Sequence, residues 1–178
     1  ERDAKARKAL LTFVVAGGGF TGIEILGAMD ELLKEALTVY PNIQRKELRI
    51  ILVHPGDVLA QEMHNSLGIY VQKKFEARSV EVKLKVSVAA IRDDKVLLSS
   101  GEMIDAETVV WTAGNTAHPM ISALSLEKKQ GRIVVDEFLE APGHKGVWAV
   151  GDCAYIFDKK NNKAYPPTAQ HAVREAKT

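Results

Sequence analysis

Several features that define other protein classes are scarce in this sequence. Cys153 is the only cysteine among 178 residues, which excludes an internal disulfide framework and a Cys-x-x-Cys redox pair and suits a reducing cytoplasm. No apolar run is long enough to span a bilayer, and the charged start of the chain lacks the apolar stretch of a signal peptide. The 24 basic and 23 acidic residues nearly cancel, so no charge excess indicates a nucleic-acid partner. The composition therefore predicts a globular cytoplasmic protein.

Residue types that hold metals or act as nucleophiles are present but are not arranged for those tasks. The five histidines lack the short spacings of metal ligands, and no nucleophile-elbow motif occurs. The single thiol follows a Gly-Asp pair and is more typical of a small buried side chain than of a nucleophile. We therefore predict no metal centre and no covalent protein catalyst. The histidines are His54, His64, His118, His144 and His171.

What the sequence does contain is a glycine cluster between a strand pattern at 11–16 and a helical pattern at about 21–40. Its spacing is Gly-x-Gly-x-x-Gly, which in this strand-to-helix context predicts a dinucleotide-binding loop. The first glycine permits a tight turn, the second lets a pyrophosphate approach, and the third lets the helix pack on the strand. The alternative is a glycine-rich turn without a ligand. The candidate binding residues are Gly17, Gly18, Gly19, Phe20, Thr21 and Gly22.

The first half of the chain alternates between strand and helix patterns. A strand at 48–53, a helix at about 61–78 and a strand at 80–84 follow the first helix. This β-α-β-α-β order predicts a Rossmann-like parallel sheet of the α/β class. Short apolar runs separated by turn residues then predict an inserted antiparallel β-meander. Its strands are expected at 86–91, 96–99 and 103–105.

The second half begins with a buried strand that ends at Ala113 and Gly114. A later apolar strand leads directly into Gly151 and Asp152, and a proline pair opens a final helix with Thr168 as its expected N-cap. We divide the chain into a lead-in, a nucleotide-binding domain and a partial second domain, at 1–9, 10–115 and 116–178. The further elements are expected as strands at 108–111, 132–135 and 146–150 and a short helix at 119–124.

Two residues of the first domain have open roles. Glu24 lies near the start of the first long helix, where it either complements the helix dipole as an exposed acid or contacts the nicotinamide end of a cofactor. His54 follows the second strand, where a dinucleotide fold usually has an acid that binds ribose hydroxyls. A neutral histidine hydrogen-bonds a hydroxyl, whereas a protonated one tolerates a 2′-phosphate. The choice between NADH and NADPH therefore stays open.

Two sites of the second domain also have alternative interpretations. Asp152, at the carboxyl end of an apolar strand, either accepts hydrogen bonds from a polyol or serves as a turn acid or N-cap. The final helix either aims its N-terminal N–H groups at a developing negative charge or is simply a capped amphipathic helix. Its exposed polar residues are Gln170, His171 and Arg174.

Taken in order, these motifs resemble the two-dinucleotide flavoprotein reductases and, within them, the type II NADH:quinone oxidoreductases. The resemblance extends from about Ala9 to the end of the chain. It is carried by four segments, which are Phe-Val-Val-Ala-Gly-Gly-Gly-Phe-Thr-Gly-Ile-Glu at 13–24, Trp-Thr-Ala-Gly at 111–114, Gly-Asp-Cys-Ala at 151–154 and Pro-Pro-Thr-Ala-Gln at 166–170.

The resemblance implies a flavoprotein that passes a hydride from NADH to FAD and electrons to a membrane quinone, without pumping protons. Gly17, Gly19 and Gly22 would hold the NADH pyrophosphate, with Glu24 beside the nicotinamide. Ala113 and Gly114 would line the crossing between the nucleotide domains. Gln170 and Arg174 would border the quinone channel. The implied FAD contacts are Gly151, Asp152, Ala169, Gln170 and His171.

The sequence departs from this family in four ways. His54 replaces the usual acid, and His171 begins a stretch where a second glutamine often occurs. Residues 1–10 contain no glycine-rich motif for the FAD adenosine, and the family's membrane-surface segment is also lacking. The resemblance therefore implies a piece of a longer protein, inactive and poor at holding FAD by itself. The resemblance implies a parent that is peripheral at the cytoplasmic face of the membrane, and it leaves a homodimer open.

The sequence leaves two other functions open. One is a ferredoxin- or rubredoxin-type FAD reductase of the same architecture, although the Pro-Pro-Thr-Ala-Gln segment favours the quinone reductase. The other is a non-catalytic NAD-binding module, for which the Gly-Asp strand and the final helix would be superfluous.

Overall fold

The computed structural model describes residues 3–114 and 116–178. The chain divides into two compact units, with the boundary directly after Gly114. In the first unit the helices are α1 (Ala4–Leu10), α2 (Phe20–Val39) and α3 (Asn65–Glu76), and the strands are β1 (Thr12–Ala16), β2 (Arg49–His54), β3 (Val80–Leu84), β4 (Val88–Arg92), β5 (Lys95–Leu98), β6 (Met103–Asp105) and β7 (Thr108–Trp111).

A four-stranded parallel sheet organises the first unit, in the order β3-β2-β1-β7. Val14 of β1 lies opposite Ile51 on one side and Val109 on the other. Helices α2 and α3 form the crossovers from β1 to β2 and from β2 to β3, as parallel neighbours require. The predicted Rossmann-like α/β fold is therefore confirmed.

The two faces of this sheet are covered by different layers. Val15, Ile50 and Leu52 point to one face and form a core with Leu26 of α2 and Phe75 of α3. The residues that alternate with them in the strands point to the other face, because successive strand side chains alternate. That second face packs on the antiparallel β4-β5-β6 meander, and its buried cluster contains Val14, Ile51, Val53, Val96, Leu98 and Ile104.

Element boundaries differ from the sequence expectations where local capping decides them. Within the lead-in, helix α1 begins at Ala4, because the Asp3 carboxylate accepts hydrogen bonds from the N–H groups of Lys5 and Ala6. Helix α3 begins at Asn65 rather than near residue 61, because the His64 side chain occupies the N-cap position and accepts the Ser66 N–H. Among the described residues, no helix is both long enough and apolar enough to cross a membrane.

The second unit is built from shorter elements around a core that includes Ile121, Ile133 and Ala149. Its β8 and β9 strands pair antiparallel, β9 and β10 pair parallel, and β11 and β12 form a separate antiparallel pair. A short 3-10 helix lies at Gly151–Cys153. The other elements are α4 (Pro119–Ala123), β8 (Lys128–Lys129), β9 (Arg132–Val134), β10 (Ala154–Tyr155), β11 (Phe157–Asp158), β12 (Lys163–Ala164) and α5 (Ala169–Glu175).

The strand expected at 146–150 is wrong. Trp148 makes one isolated bridge with Glu140, and the Ala149 N–H donates to the Leu139 carbonyl at 3.0 Å. A strand needs a run of consecutive pairs along a neighbour, and within the described residues this apolar segment has a single bridge. The segment therefore has no regular strand structure, and the side chain of Trp148 is 63% exposed.

A buried carboxylate joins the helical layer to the loops around it. The Asp30 side chain, on α2, is fully buried, and its oxygens accept hydrogen bonds from Lys34 at 2.7 Å, Arg78 at 2.6 Å and Arg45 at 3.3 Å. Burial raises the pKa of Asp30, but the hydrogen bonds from Lys34 and Arg78 outweigh burial and hold that pKa below its ordinary value. The charged form is therefore the one that the fold stabilises.

Replacing Asp30 with Asn is expected to lower the free energy of unfolding by about 3 kcal/mol, because three cations lose their shared counter-charge. Glu31→Gln is the matched control, since Glu31 is its exposed neighbour and, among the described residues, forms its ion pair with Arg78 at 3.3 Å. Its loss should cost about 0.5 kcal/mol. Urea unfolding followed by circular dichroism measures both changes, and equal effects would contradict the central role of Asp30.

Candidate functional site

The carboxyl end of β1 leads into the glycine loop, residues 17–22. Gly17 has φ +115°, and an added Cβ there would lie 2.6 Å from Thr112 Oγ1 and 2.9 Å from the Ala113 nitrogen. The Thr112 hydroxyl lies 2.9 Å from the Ala16 carbonyl oxygen and 3.2 Å from the Gly17 carbonyl oxygen, within donating distance of both. Both the conformation and the close approach therefore require glycine at the first position of the loop.

The last glycine of the loop sets the distance between helix and strand. A Cβ on Gly22 would lie 1.8 Å from the Gly17 carbonyl oxygen and 2.8 Å from Thr112 Oγ1. Backbone atoms cannot move aside as a flexible side chain can, so no larger residue fits without displacing α2. This contact fixes the start of α2 against the end of β1.

The middle of the loop leaves its backbone accessible. A Cβ on Gly19 would meet nothing within 4 Å. Gly19 is the N-cap of the 20-residue helix α2, and the first intrahelical bond runs from the Ile23 N–H to its carbonyl at 3.0 Å. The N–H groups of Phe20, Thr21 and Gly22 precede that bond and have no intrahelical acceptor. They form the positive end of a long helix, which favours a bound anion.

His54, at the end of β2, contacts the glycine loop directly. Its Nδ1 accepts a hydrogen bond from the Gly18 N–H at 3.1 Å, and the Gly18 carbonyl accepts the Ala60 N–H at 2.9 Å. An added Cβ on Gly18 would lie 2.5 Å from Leu59 and 2.9 Å from the His54 ring. Residues 54–60 therefore enclose Gly18 on both its donor and its acceptor side.

Burial disfavours the charged form of the His54 ring. Burial lowers its pKa, although Glu62, the Val58 backbone and Asp57 act in the opposite direction. Nε2 is buried and has no hydrogen-bond partner among the described residues. With Nδ1 engaged and Nε2 covered, a contact between this ring and a ribose hydroxyl would require the ring to move.

Three further sequence candidates of the first unit lie at the loop or beyond it. Ala113 adjoins Gly17 through its backbone nitrogen, and its carbonyl accepts the Trp111 indole N–H at 2.6 Å. Gly114 follows with φ +79°. Glu24 is exposed on α2, two residues beyond the loop. The first unit thus brings Ala113 and His54 to the glycine loop, with Glu24 farther along the helix.

In the second unit, Asp152 is exposed and lines a pocket of about 280 Å³. The pocket also presents the Arg132 side chain and Thr116. A carboxylate, a guanidinium and a hydroxyl together suit a ligand with hydroxyl and phosphate groups. Sequence reasoning missed Arg132, because a single arginine after a turn carries no motif.

Helix α5 holds the remaining candidates. The Glu175 carboxylate accepts the Gly151 N–H at 2.7 Å, and the His171 ring lies 4.9 Å from the Tyr165 ring. His171 and Arg174 line a second pocket of about 280 Å³. Ala169 and Gln170, in the first turn, are exposed, and the Thr168 side chain makes no capping bond to that turn.

A family model and several known proteins each match most of this chain. The model of the pyridine nucleotide-disulphide oxidoreductase family matches residues 1–176. A probable NADH dehydrogenase of Dictyostelium discoideum is 33% identical over 98% of this chain and 38% of its own length. A type II NADH:quinone oxidoreductase of Staphylococcus epidermidis is 28% identical over 93% of this chain and 42% of its own length. The chain thus spans less than half of these relatives.

The fold is similar to a solved structure, that of NDH2 from Plasmodium falciparum in complex with NADH. The TM-score is 0.76 at 20% identity, over 87% of this chain and 34% of the other. At this identity the likeness concerns the fold.

The close contact at Gly22 yields a sharp test within one helix. Gly22→Ala is expected to lower the free energy of unfolding by about 2–3 kcal/mol, because the new methyl collides with the Gly17 carbonyl. Gly27→Ala, on the same helix, meets nothing within 4 Å and should raise the stability by about 0.5–1 kcal/mol. Thermal and urea unfolding measure both, and a stabilising Gly22→Ala would refute the packing described here.

Proposed function

Because the chain belongs to the pyridine nucleotide-disulphide oxidoreductase family, we propose that it is the NADH-binding part of a type II NADH:quinone oxidoreductase, with a portion of the FAD domain. NADH would bind at the glycine loop, and its electrons would pass through FAD to a membrane quinone. The partial coverage of the curated relatives supports a piece of a longer protein.

The observation that carries this proposal is the open helix start at Gly19. The N–H groups of Phe20, Thr21 and Gly22 have no intrahelical acceptor, and an added Cβ on Gly19 would meet nothing within 4 Å. A pyrophosphate needs several such donors and a backbone that it can approach closely. Gly17 and Gly22 keep the helix start in place, so the donors are oriented before the ligand arrives.

The chain's own residues bind and orient the nucleotide. The glycine loop would fix the pyrophosphate and so set where the nicotinamide lies, while Glu24 is proposed to contact its end and Ala113 and Gly114 to line its path. A positioned hydride donor gains rate because its encounter with the acceptor becomes intramolecular. No side chain is required to form a bond to substrate.

The second unit carries the residues proposed to contact FAD. Asp152 lines a pocket with Arg132, and this donor and acceptor set fits a ribityl chain and phosphate. FAD, when bound, would supply the hydride acceptor and the relay of two electrons to the quinone. The other proposed FAD contacts are Gly151, Ala169, Gln170 and His171.

The quinone and the membrane belong to the whole protein. Gln170 and Arg174 are exposed on α5, where they are proposed to border the quinone path. We place the parent at the cytoplasmic face of the membrane, held peripherally by parts outside this chain, and expect a homodimer.

Charge reversal at the open glycine tests the NADH site. Gly19→Asp is expected to raise the Kd for NADH by about tenfold or more, because a carboxylate would face the pyrophosphate. Gly27→Asp places the same side chain farther along α2, again with nothing within 4 Å, and should bind as the wild type does. Calorimetric titration of the folded 178-residue chain measures both. Equal binding by the two variants would exclude the glycine loop as the phosphate site.

The reaction itself is tested on the full-length parent. We expect FAD-dependent oxidation of NADH with a soluble quinone, and titration of NADH and NADPH in parallel will measure the nucleotide preference. A parent that binds FAD but reduces no quinone would overturn the enzyme assignment. Reduction of a ferredoxin or rubredoxin instead would move it to the other reductase class.

A further inference from the structure

The end of β2 and the segment after it hold the glycine loop at Gly18 from two sides. Gly18 donates to His54 and accepts from Ala60. Ala60 is buried with φ +48°, a left-handed conformation that is costly for alanine. This strained residue is the one whose N–H donates a hydrogen bond to the Gly18 carbonyl.

We infer that His54 is a positioning residue that holds the glycine loop in its NADH-binding conformation through the Gly18 N–H, and that its protonation releases the loop. The inference rests on the proposed function, because it concerns the same nucleotide site. It gives this histidine a role different from that of the acid usual at this position, since its bond is made to the loop rather than to the ribose.

The geometry determines which form of the ring can do this. Nδ1 accepts the Gly18 N–H and must carry a lone pair, so the proton of the neutral ring is on Nε2. An imidazolium has N–H groups on both nitrogens and cannot accept. Protonation would therefore set two N–H groups against each other at 3.1 Å, and either the ring or the loop must move.

The groups around the ring define the pH range. Asp57 and Glu62, on the segment after β2, raise the pKa of His54, but burial outweighs them and leaves it below its ordinary value. From β3 the facing residue is Leu84, which does not titrate, and the charged Lys85 follows it. A histidine with a lowered pKa stabilises the fold fully above about pH 6.5, and this contribution is lost as the pH falls through the folded-state pKa.

Two substitutions separate the hydrogen bond from the bulk of the ring. His54→Asn keeps an acceptor oxygen at the same number of bonds from Cα as Nδ1, and this acceptor does not titrate near neutral pH. His54→Leu keeps apolar volume and removes the acceptor, leaving the Gly18 N–H without its partner. The control is His144→Gln, because His144 is an exposed histidine that lies in the second unit.

The first measurement is binding of ADP-ribose, which carries the same adenosine pyrophosphate as NADH and tolerates acid. For the wild type and His144→Gln, we expect a constant Kd above about pH 6.5 that rises by about tenfold as the pH falls below it. His54→Asn should bind as the wild type does at neutral pH and keep that Kd in acid. His54→Leu should be weaker by about tenfold at every pH. If the Kd of His54→Asn rose in acid as much as that of the wild type, the inference would be overturned. It would also be overturned if His54→Leu bound ADP-ribose as tightly as the wild type does.

The second measurement needs no nucleotide. Amide hydrogen exchange at Gly18 should be slow in the wild type and in His54→Asn, and faster in His54→Leu, while the core amides of β1 stay protected in all three. Unchanged exchange at Gly18 in His54→Leu would overturn the positioning role. If the wild type binds neither NADH nor ADP-ribose, the proposed function fails, and this measurement still decides whether His54 holds the loop.

Discussion

The contact between the α-carbon of Gly22 and the carbonyl of Gly17 is the constraint on which the first unit depends. A Cβ at this point would lie 1.8 Å from the carbonyl oxygen, so helix and strand meet backbone to backbone. The approach determines where the first turn of α2 begins and therefore where its unpaired N–H groups point. The same turn is then available to a ligand without further rearrangement, which lowers the cost of ordering the site on binding.

A second anchor lies farther along the same helix. Asp30 is fully buried and joins α2 to Arg45, which begins a short 3-10 helix before β2, and to Arg78, in the turn before β3. Asp30 is the buried member of this cluster, whereas Lys34, Arg45 and Arg78 keep about a third or more of their side chains exposed. Desolvation of the carboxylate offsets part of its attraction to them. We interpret these two contacts as fixing different properties of α2. The glycine contact sets the distance of α2 from the sheet, and Asp30 sets the rotation of α2 about its own axis.

The sequence predicted those features whose causes lie close together in the chain. The Gly17–Gly22 spacing, the β-α-β-α-β order and the meander all depend on neighbouring residues, and the fold class was confirmed. The strand at 146–150 failed because a strand depends on its partner, and apolar character alone does not supply one. The contacts of Thr112 and Ala60 with the loop were also missed, since they join residues far apart in sequence. Asp152 and the α5 residues remain predictions as cofactor contacts.

The position of β1 within the sheet has a consequence for where any ligand can bind. From β1 the chain crosses to β2 on one side, whereas β7 pairs with β1 on the other. The strand order therefore reverses at β1, which makes its carboxyl end a topological switch point, and open α/β sheets leave a crevice at such a point. The location of the crevice is a property of connectivity alone. Residues at the carboxyl ends of the strands, such as His54 at the end of β2, can then change the chemistry of the site over evolution without moving it.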